Sequence, residues 1–172
     1  MRKGTRGFSL IELLIVVAII LIIAAIAIPS LLRSRIAAYQ TSAVGTLRAL
    51  NTAEITYSAI YTTGYSSTLG DLGPPAAGQN PVATAAGLID SVLSGMSGTG
   101  GSAAMTSSKS GYTFTYTPGA ADPTGRINTY SITATPISLG TTGINFYFTD
   151  SSGVIRQNST TVAGSTDSPL AG

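Results

Sequence analysis

Glu12 is the residue whose type and position point most directly to chemistry. It stands in an otherwise apolar run, Phe8-Ser-Leu-Ile-Glu12-Leu-Leu-Ile-Val-Val, which continues to Ile28. A carboxylate carried to membrane depth costs roughly 2.5–3.5 kcal/mol on insertion scales, so it is normally kept where a partner compensates it. A short basic stretch, Met1-Arg-Lys-Gly-Thr-Arg-Gly7, precedes the run. Other catalytic chemistry is scarce. The chain has no histidine and no cysteine, which removes Ser-His-Asp and Cys-His nucleophiles and the usual zinc ligands. The remaining acids, Glu54, Asp71, Asp90, Asp122, Asp150 and Asp167, are scattered. Nothing in their spacing sets two of them across a cleft as a hydrolase requires. The glycines of Gly98-Thr-Gly-Gly101 lack the lysine of a phosphate-binding loop. Lys109, Arg126 and Arg156 are too few and too separated to predict a nucleic-acid surface. The expectation is a protein that is not an enzyme.

The basic leader, Gly7, Phe8, Glu12 and the apolar helix together resemble the N-terminus of type IV prepilins and of type II secretion pseudopilins. The resemblance covers about the first thirty residues and becomes diffuse beyond them. It implies that an inner-membrane peptidase cuts after Gly7 and methylates the new N-terminus at Phe8. An α-amine titrates near pH 8, so the Phe8 terminus would carry a proton at neutral pH. In that family the glutamate of an incoming subunit pairs with the N-terminal amine of a neighbour, which gives Glu12 the role of setting filament register. An unpaired buried carboxylate penalises wrong registers, so such a pair acts on alignment more than on net stability.

The partners implied are further copies of the chain in a helical homopolymer, the peptidase/methyltransferase, an inner-membrane platform protein with its cytoplasmic assembly ATPase, and minor pilins. Membrane lipid surrounds the helix before assembly. Pseudopilins often bind calcium through loop oxygens near the end of the sheet, which makes Asp122 and Asp150 calcium candidates. Turn-forming aspartates are the plainer explanation, and no other cofactor is expected. Many pilins carry a disulfide, and this chain departs from them. The acidic, glycine-rich C-terminal calcium segment of the major pseudopilin is not found. The expectation is therefore a type IV pilus subunit for adhesion or motility, with a pseudopilus subunit driving protein export as the alternative. A rival of another class is a signal-anchored envelope binding protein, since Ala25-Ile-Ala27 resembles a signal cleavage site. An ordinary membrane anchor would also be this long. Neither explains an acid at Glu12 beside Gly7-Phe8.

Charge agrees with a processed precursor. Arg2, Lys3 and Arg6 supply a third of the nine basic residues, and without the leader the side-chain balance falls from +2 to −1. The leader charges favour a cytoplasmic N-terminus. The implied location is a single-pass inner-membrane precursor, then an extracellular pilus or a periplasmic pseudopilus.

The elements that must position these groups follow from periodicity. Residues 1–7 form the leader, 8–28 the membrane or filament-core helix, and 29–61 its amphipathic continuation. Pro29 lies inside, where a proline removes one hydrogen bond and favours a kink. Ile36, Ala43, Leu50 and Tyr57, with Leu47 and Tyr61, form a stripe able to dock on a sheet. Glu54 falls near that stripe and is read as a solvated edge. Residues 62–110 are expected to be a variable loop rich in Gly, Ala, Ser, Thr and Pro, with a short helix over Ala83–Leu93. Residues 111–158 alternate with period two around Tyr112–Thr117, Tyr130–Ala134, Ile144–Thr149 and Val154–Asn158. Residues 159–172 are expected to be a frayed polar tail. The fold class is α+β and pilin-like: a long N-terminal helix packed on a C-terminal antiparallel sheet of about four strands.

Overall fold

The computed structural model describes residues 8–95 and 105–170. The leader with Gly7 and the Gly98-Thr-Gly-Gly101 stretch lie outside these residues. The chain divides into two compact units, one ending at Arg35 and the other beginning at Ile36. A single helix, α1 (Leu10–Ile60), contributes to both.

In the first unit α1 is apolar on every face from Leu13 to Ile28, and Ile11, Val17, Ile23, Ile28 and Leu32 are all exposed. A helix that is hydrophobic all round needs a membrane or other helices about it. This one contains a stretch long and apolar enough to cross a bilayer.

In the second unit the helix is amphipathic. Ala43, Leu47, Leu50, Ala53 and Tyr57 are buried, while Arg48 and Thr52 are exposed. Ile36 and Tyr61, at the two ends of the expected stripe, are only half-buried. The helix ends where expected. Gly64 holds φ +81°, and a Cβ there would collide with the Ile127 carbonyl oxygen at 2.1 Å. Tyr65 N–H donates to Ile127 O and Ile127 N–H to Thr63 O, so the exit from the helix is tied to the chain preceding the third strand.

The sheet has five strands in the order β1 (Thr106–Lys109), β2 (Tyr112–Pro118), β3 (Tyr130–Pro136), β4 (Phe146–Asp150), β5 (Arg156–Asn158). Every neighbouring pair is antiparallel. β1 corrects the expected loop boundary. Ser110 and Gly111 both have positive φ, 50° and 77°, the signature of a tight hairpin turn. That turn folds Thr106–Lys109 back onto β2.

The register defines the faces. Phe114 pairs with Ala134, which pairs with Tyr147; Tyr116 pairs with Ile132, which pairs with Thr149. These rows face the helix stripe and build the core with Leu69, Leu72 and Leu93. Each large apolar side chain buried there contributes about 1.5–3 kcal/mol. The opposite face carries Thr113, Thr115, Thr133 and Phe148.

Two further expectations are corrected. No helix forms over Ala83–Leu93. Gly87 takes φ +70°, and the N–H groups of Ala86, Leu88 and Ile89 bond to Asp71 and Leu72 carbonyls rather than to a helical ladder. The C-terminal segment is tied down through the described residues. Gln157 N–H donates to Ser168 O and Leu170 N–H to Ile155 O. Asn158 Nδ2 and Arg156 Nη1 reach Asp167 at 2.9 Å each, and Ala163 is buried.

Asn51 joins the helix to the sheet. Its Nδ2 donates to Thr149 Oγ1 at 2.8 Å, and its Oδ1 accepts from Tyr130 Oη at 3.0 Å. Thr149 is fully buried and Tyr130 nearly so. Asn51→Ala should therefore destabilise the unit by about 2–4 kcal/mol, through two stranded hydroxyls and a small void. The check is the denaturant midpoint of the detergent-solubilised chain. An unchanged midpoint would mean that water or a rotamer change replaces both bonds.

Candidate assembly site at the helix N-terminus

The site is built from the first turn of α1. Ser9 precedes the helix, and its carbonyl accepts the N–H of Glu12 at 3.1 Å and of Leu13 at 3.2 Å. Glu12 Oε2 reaches back to accept the Ser9 N–H at 3.0 Å. This is the carboxylate half of a capping box, Ser-x-x-Glu, which satisfies a backbone donor that the helix itself cannot. A negative charge in the first turn also complements the positive end of the helix dipole. Glu12 is exposed, and Phe8 lies just outside the helix at 77% exposure. The arrangement presents a carboxylate, with one oxygen already oriented by its own backbone, on an apolar surface four residues after Phe8. Sequence reasoning singled out Glu12 and missed Ser9, although Ser9-Leu-Ile-Glu12 spells the capping signal.

The remaining candidates lie elsewhere. Pro29 is inside α1, which continues through it; its missing N–H removes the helical donor to the Ala25 carbonyl. Asp122 Oδ1 accepts from Thr124 N–H, Thr124 Oγ1 and Arg126 N–H, while Oδ2 accepts from Asn128 Nδ2. The Thr124 hydroxyl, then the Arg126 N–H and Asn128, hold its carboxyl well below the usual range. Asp150 Oδ1 accepts the Ser152 N–H at 2.9 Å in the β4–β5 turn. Both aspartates are organising turns, and no group of three His, Cys, Asp or Glu residues placed to hold a metal occurs among the described residues.

Glu54 is the larger surprise. Expected at a solvated edge, it is fully buried. Its two oxygens accept from Ser66 N–H at 3.0 Å and Ser66 Oγ at 2.5 Å, and Tyr116 Oη donates to Ser66 O at 2.7 Å. Burial pushes its pKa up, partly offset by the Ser66 and Tyr116 hydrogen bonds. The signal was present: Glu54 stands four residues after Leu50 and three before Tyr57, on the stripe itself.

A helix of this kind, with its sheet and its N-terminal acid, defines a pilin-like chain. Residues 2–28 match the family model for the prokaryotic N-terminal methylation motif. Over 49 residues the chain is 55% identical to the type IV major pilin protein PilA of Myxococcus xanthus (strain DK1622). That match spans 28% of this chain and 22% of the relative. No solved structure is significantly similar. The N-terminal segment is thus similar to the methylation motif and to a type IV major pilin, and the helix-on-sheet layout is an α+β, pilin-like one.

Proposed function

We propose that the chain is the prepilin of a type IV pilus, a structural subunit that is cut after Gly7, methylated at Phe8 and polymerised into a surface filament for adhesion or motility. The observation that carries this reading is Glu12: a carboxylate in the first turn of an all-round apolar helix, within a methylation motif. Before assembly the Phe8–Ile28 segment sits in the inner membrane with the leader on the cytoplasmic side. On assembly it exchanges lipid for neighbouring helices, and Glu12 meets the Phe8 ammonium of a subunit already in place. Pro29 loosens the helix for that packing. Extension comes from a separate cytoplasmic ATPase and platform protein, because the chain carries no motor signature.

The test is mass spectrometry of filaments sheared from cells. The expected result is abundant chain whose first residue is methylated Phe8. Processed chain confined to the envelope would replace the pilus with a pseudopilus. A terminus after Ala27, or an intact Met1, would overturn the prepilin reading.

A further inference from the structure

A pocket of about 260 Å³ lies wholly within the second unit, near the C-terminal end of α1. Six of its lining residues carry hydrogen-bonding side chains: Tyr57, Thr63, Tyr65, Ser67, Thr84 and Asp71. Ala83, Gly125 and Ile127 complete the walls, and among the described residues no basic side chain lines it.

The walls come from separate segments, and each is tied down. Tyr57 Oη donates to Ala83 O at 2.8 Å, which joins the helix to the turn closed by Val82 and Ala85. Thr63, Tyr65 and Ile127 are fixed to one another by backbone bonds. Asp71 Oδ2 accepts from Ser67 N–H, Ser67 Oγ and Thr68 N–H. The half-buried Tyr65 ring meets Tyr130 edge-on, with centroids 4.7 Å apart. A pocket ordered before its ligand arrives avoids most of the ordering cost of binding.

The lining chemistry narrows the ligand. A carboxylate only accepts hydrogen bonds, so Asp71 without a lining cation disfavours an anion. An apolar ligand would strip water from five hydroxyl groups and replace none of their bonds. A cation gains little, because Asp71 Oδ2 already serves three donors. The exposed Arg126 also stands between two lining residues, Gly125 and Ile127. A neutral polyol meets all three conditions, since its hydroxyls both donate and accept. A sugar ring adds an apolar C–H face, which suits the aromatic body of Tyr65. Drug-sized ligands occupy roughly 300–1,000 Å³, so this smaller pocket matches one ring rather than a chain of them.

We propose that this pocket binds a single neutral sugar ring, with its hydroxyls paired to Asp71 and the lining hydroxyl groups and one C–H face against Tyr65. The site belongs to the globular unit alone. It rests neither on Glu12 nor on which filament the chain enters.

The chain has eight tyrosines and no tryptophan, so fluorine NMR of the full 3-fluorotyrosine-labelled chain reads the site directly. The chain would be held in a detergent whose headgroup is not a sugar. Tyr65→Phe and Tyr147→Phe assign two signals, Tyr147 lining a different groove with Gln40. The probes are methyl α-glucoside, methyl α-mannoside, methyl β-galactoside and N-acetylglucosamine, with tetramethylammonium chloride as the cation. The expected result is a saturable shift of the Tyr65 signal with at least one sugar and none at Tyr147. Asp71→Asn should weaken that sugar about ten-fold, as loss of a hydrogen bond to a charged group predicts. Thr84→Val, at an exposed position, should weaken it several-fold and leaves the Asp71 bonds in place. No shift up to about 100 mM, well past the affinity of a ring held by a few hydrogen bonds, would overturn the proposal. A Tyr65 shift unchanged in both variants, or matched at Tyr147, would reduce it to a solvent effect and sink it. Saturation by tetramethylammonium with no response to any sugar would assign the pocket to a cation instead.

Discussion

Glu12→Ala should remove the chain from filaments while leaving it in the membrane. On the proposed pairing with a neighbour's Phe8 ammonium, the expected fall in incorporation is large, because that ammonium would be left buried without a partner. Breaking a buried charge pair from one side costs about 3–5 kcal/mol, or about two to four powers of ten in an association constant. Membrane insertion should be unchanged or improved, since the variant drops an intramembrane charge. The readouts are the amount of chain in sheared filaments and the amount in washed membranes. Normal assembly of Glu12→Ala chain would sink the register mechanism.

The capping bond adds a sharper comparison. Glutamine serves a capping box as well as glutamate does, so Glu12→Gln keeps the Ser9 N–H bonded while removing the charge. If the charge pair sets register, the glutamine chain fails to assemble nearly as badly as the alanine chain. If the acid only caps the helix, the glutamine chain assembles normally. Comparable helix content for the two chains in detergent would show that neither result comes from an unwound first turn.

Those parts of the molecule governed by local pattern were legible in the sequence. The apolar run, the heptad-spaced stripe and the Tyr112–Tyr116 alternation each contain their own period, and the helix and the central strands follow them. Legibility failed where tertiary contacts outweigh local preference. Thr106–Lys109 has no apolar alternation and becomes a strand only because Ser110–Gly111 turns it onto β2. The Ala83–Leu93 segment reads as a helix from Leu88, Ile89, Val92 and Leu93, but its backbone donors are taken by Asp71 and Leu72. The C-terminal segment looks polar enough to fray, yet Asp167 and Asn158 close it on themselves and Leu170 packs against the core. At the candidate assembly site Glu12 announces itself by the cost of a carboxylate in an apolar run. Ser9 contributes a backbone N–H that any residue except proline would supply, so its side-chain identity is a weaker signal.

Glu54 supports the second prediction with a large effect, because a buried acid ties together three parts of the globular unit. The helix supplies the carboxylate, the start of the following loop supplies Ser66, and β2 supplies Tyr116. Glu54→Ala should cost about 3 kcal/mol or more, from stranding the Ser66 N–H and hydroxyl and opening a void. Glu54→Gln should behave differently. Its amide oxygen can accept the Ser66 N–H and its nitrogen can donate to Ser66 Oγ, so the bonds survive without a buried charge. The pH dependence follows from the raised pKa, whose leading cause is burial, with the Asp71 charge adding to it. The folded chain holds the Glu54 proton to higher pH than the unfolded chain does. The stabilisation is therefore fully present below the ordinary carboxylate value of 4.5 and declines as pH rises through the folded value. Lowered carboxyls such as Asp122 act in the opposite sense at acid pH, so the difference between the wild-type and Glu54→Gln chains is the quantity to follow. Thermal unfolding in detergent from pH 4 to pH 8 should show the glutamine chain gaining on the wild type as pH increases. Parallel profiles would mean that Glu54 keeps its charge in the core and that Ser66 and Tyr116 compensate its burial in full.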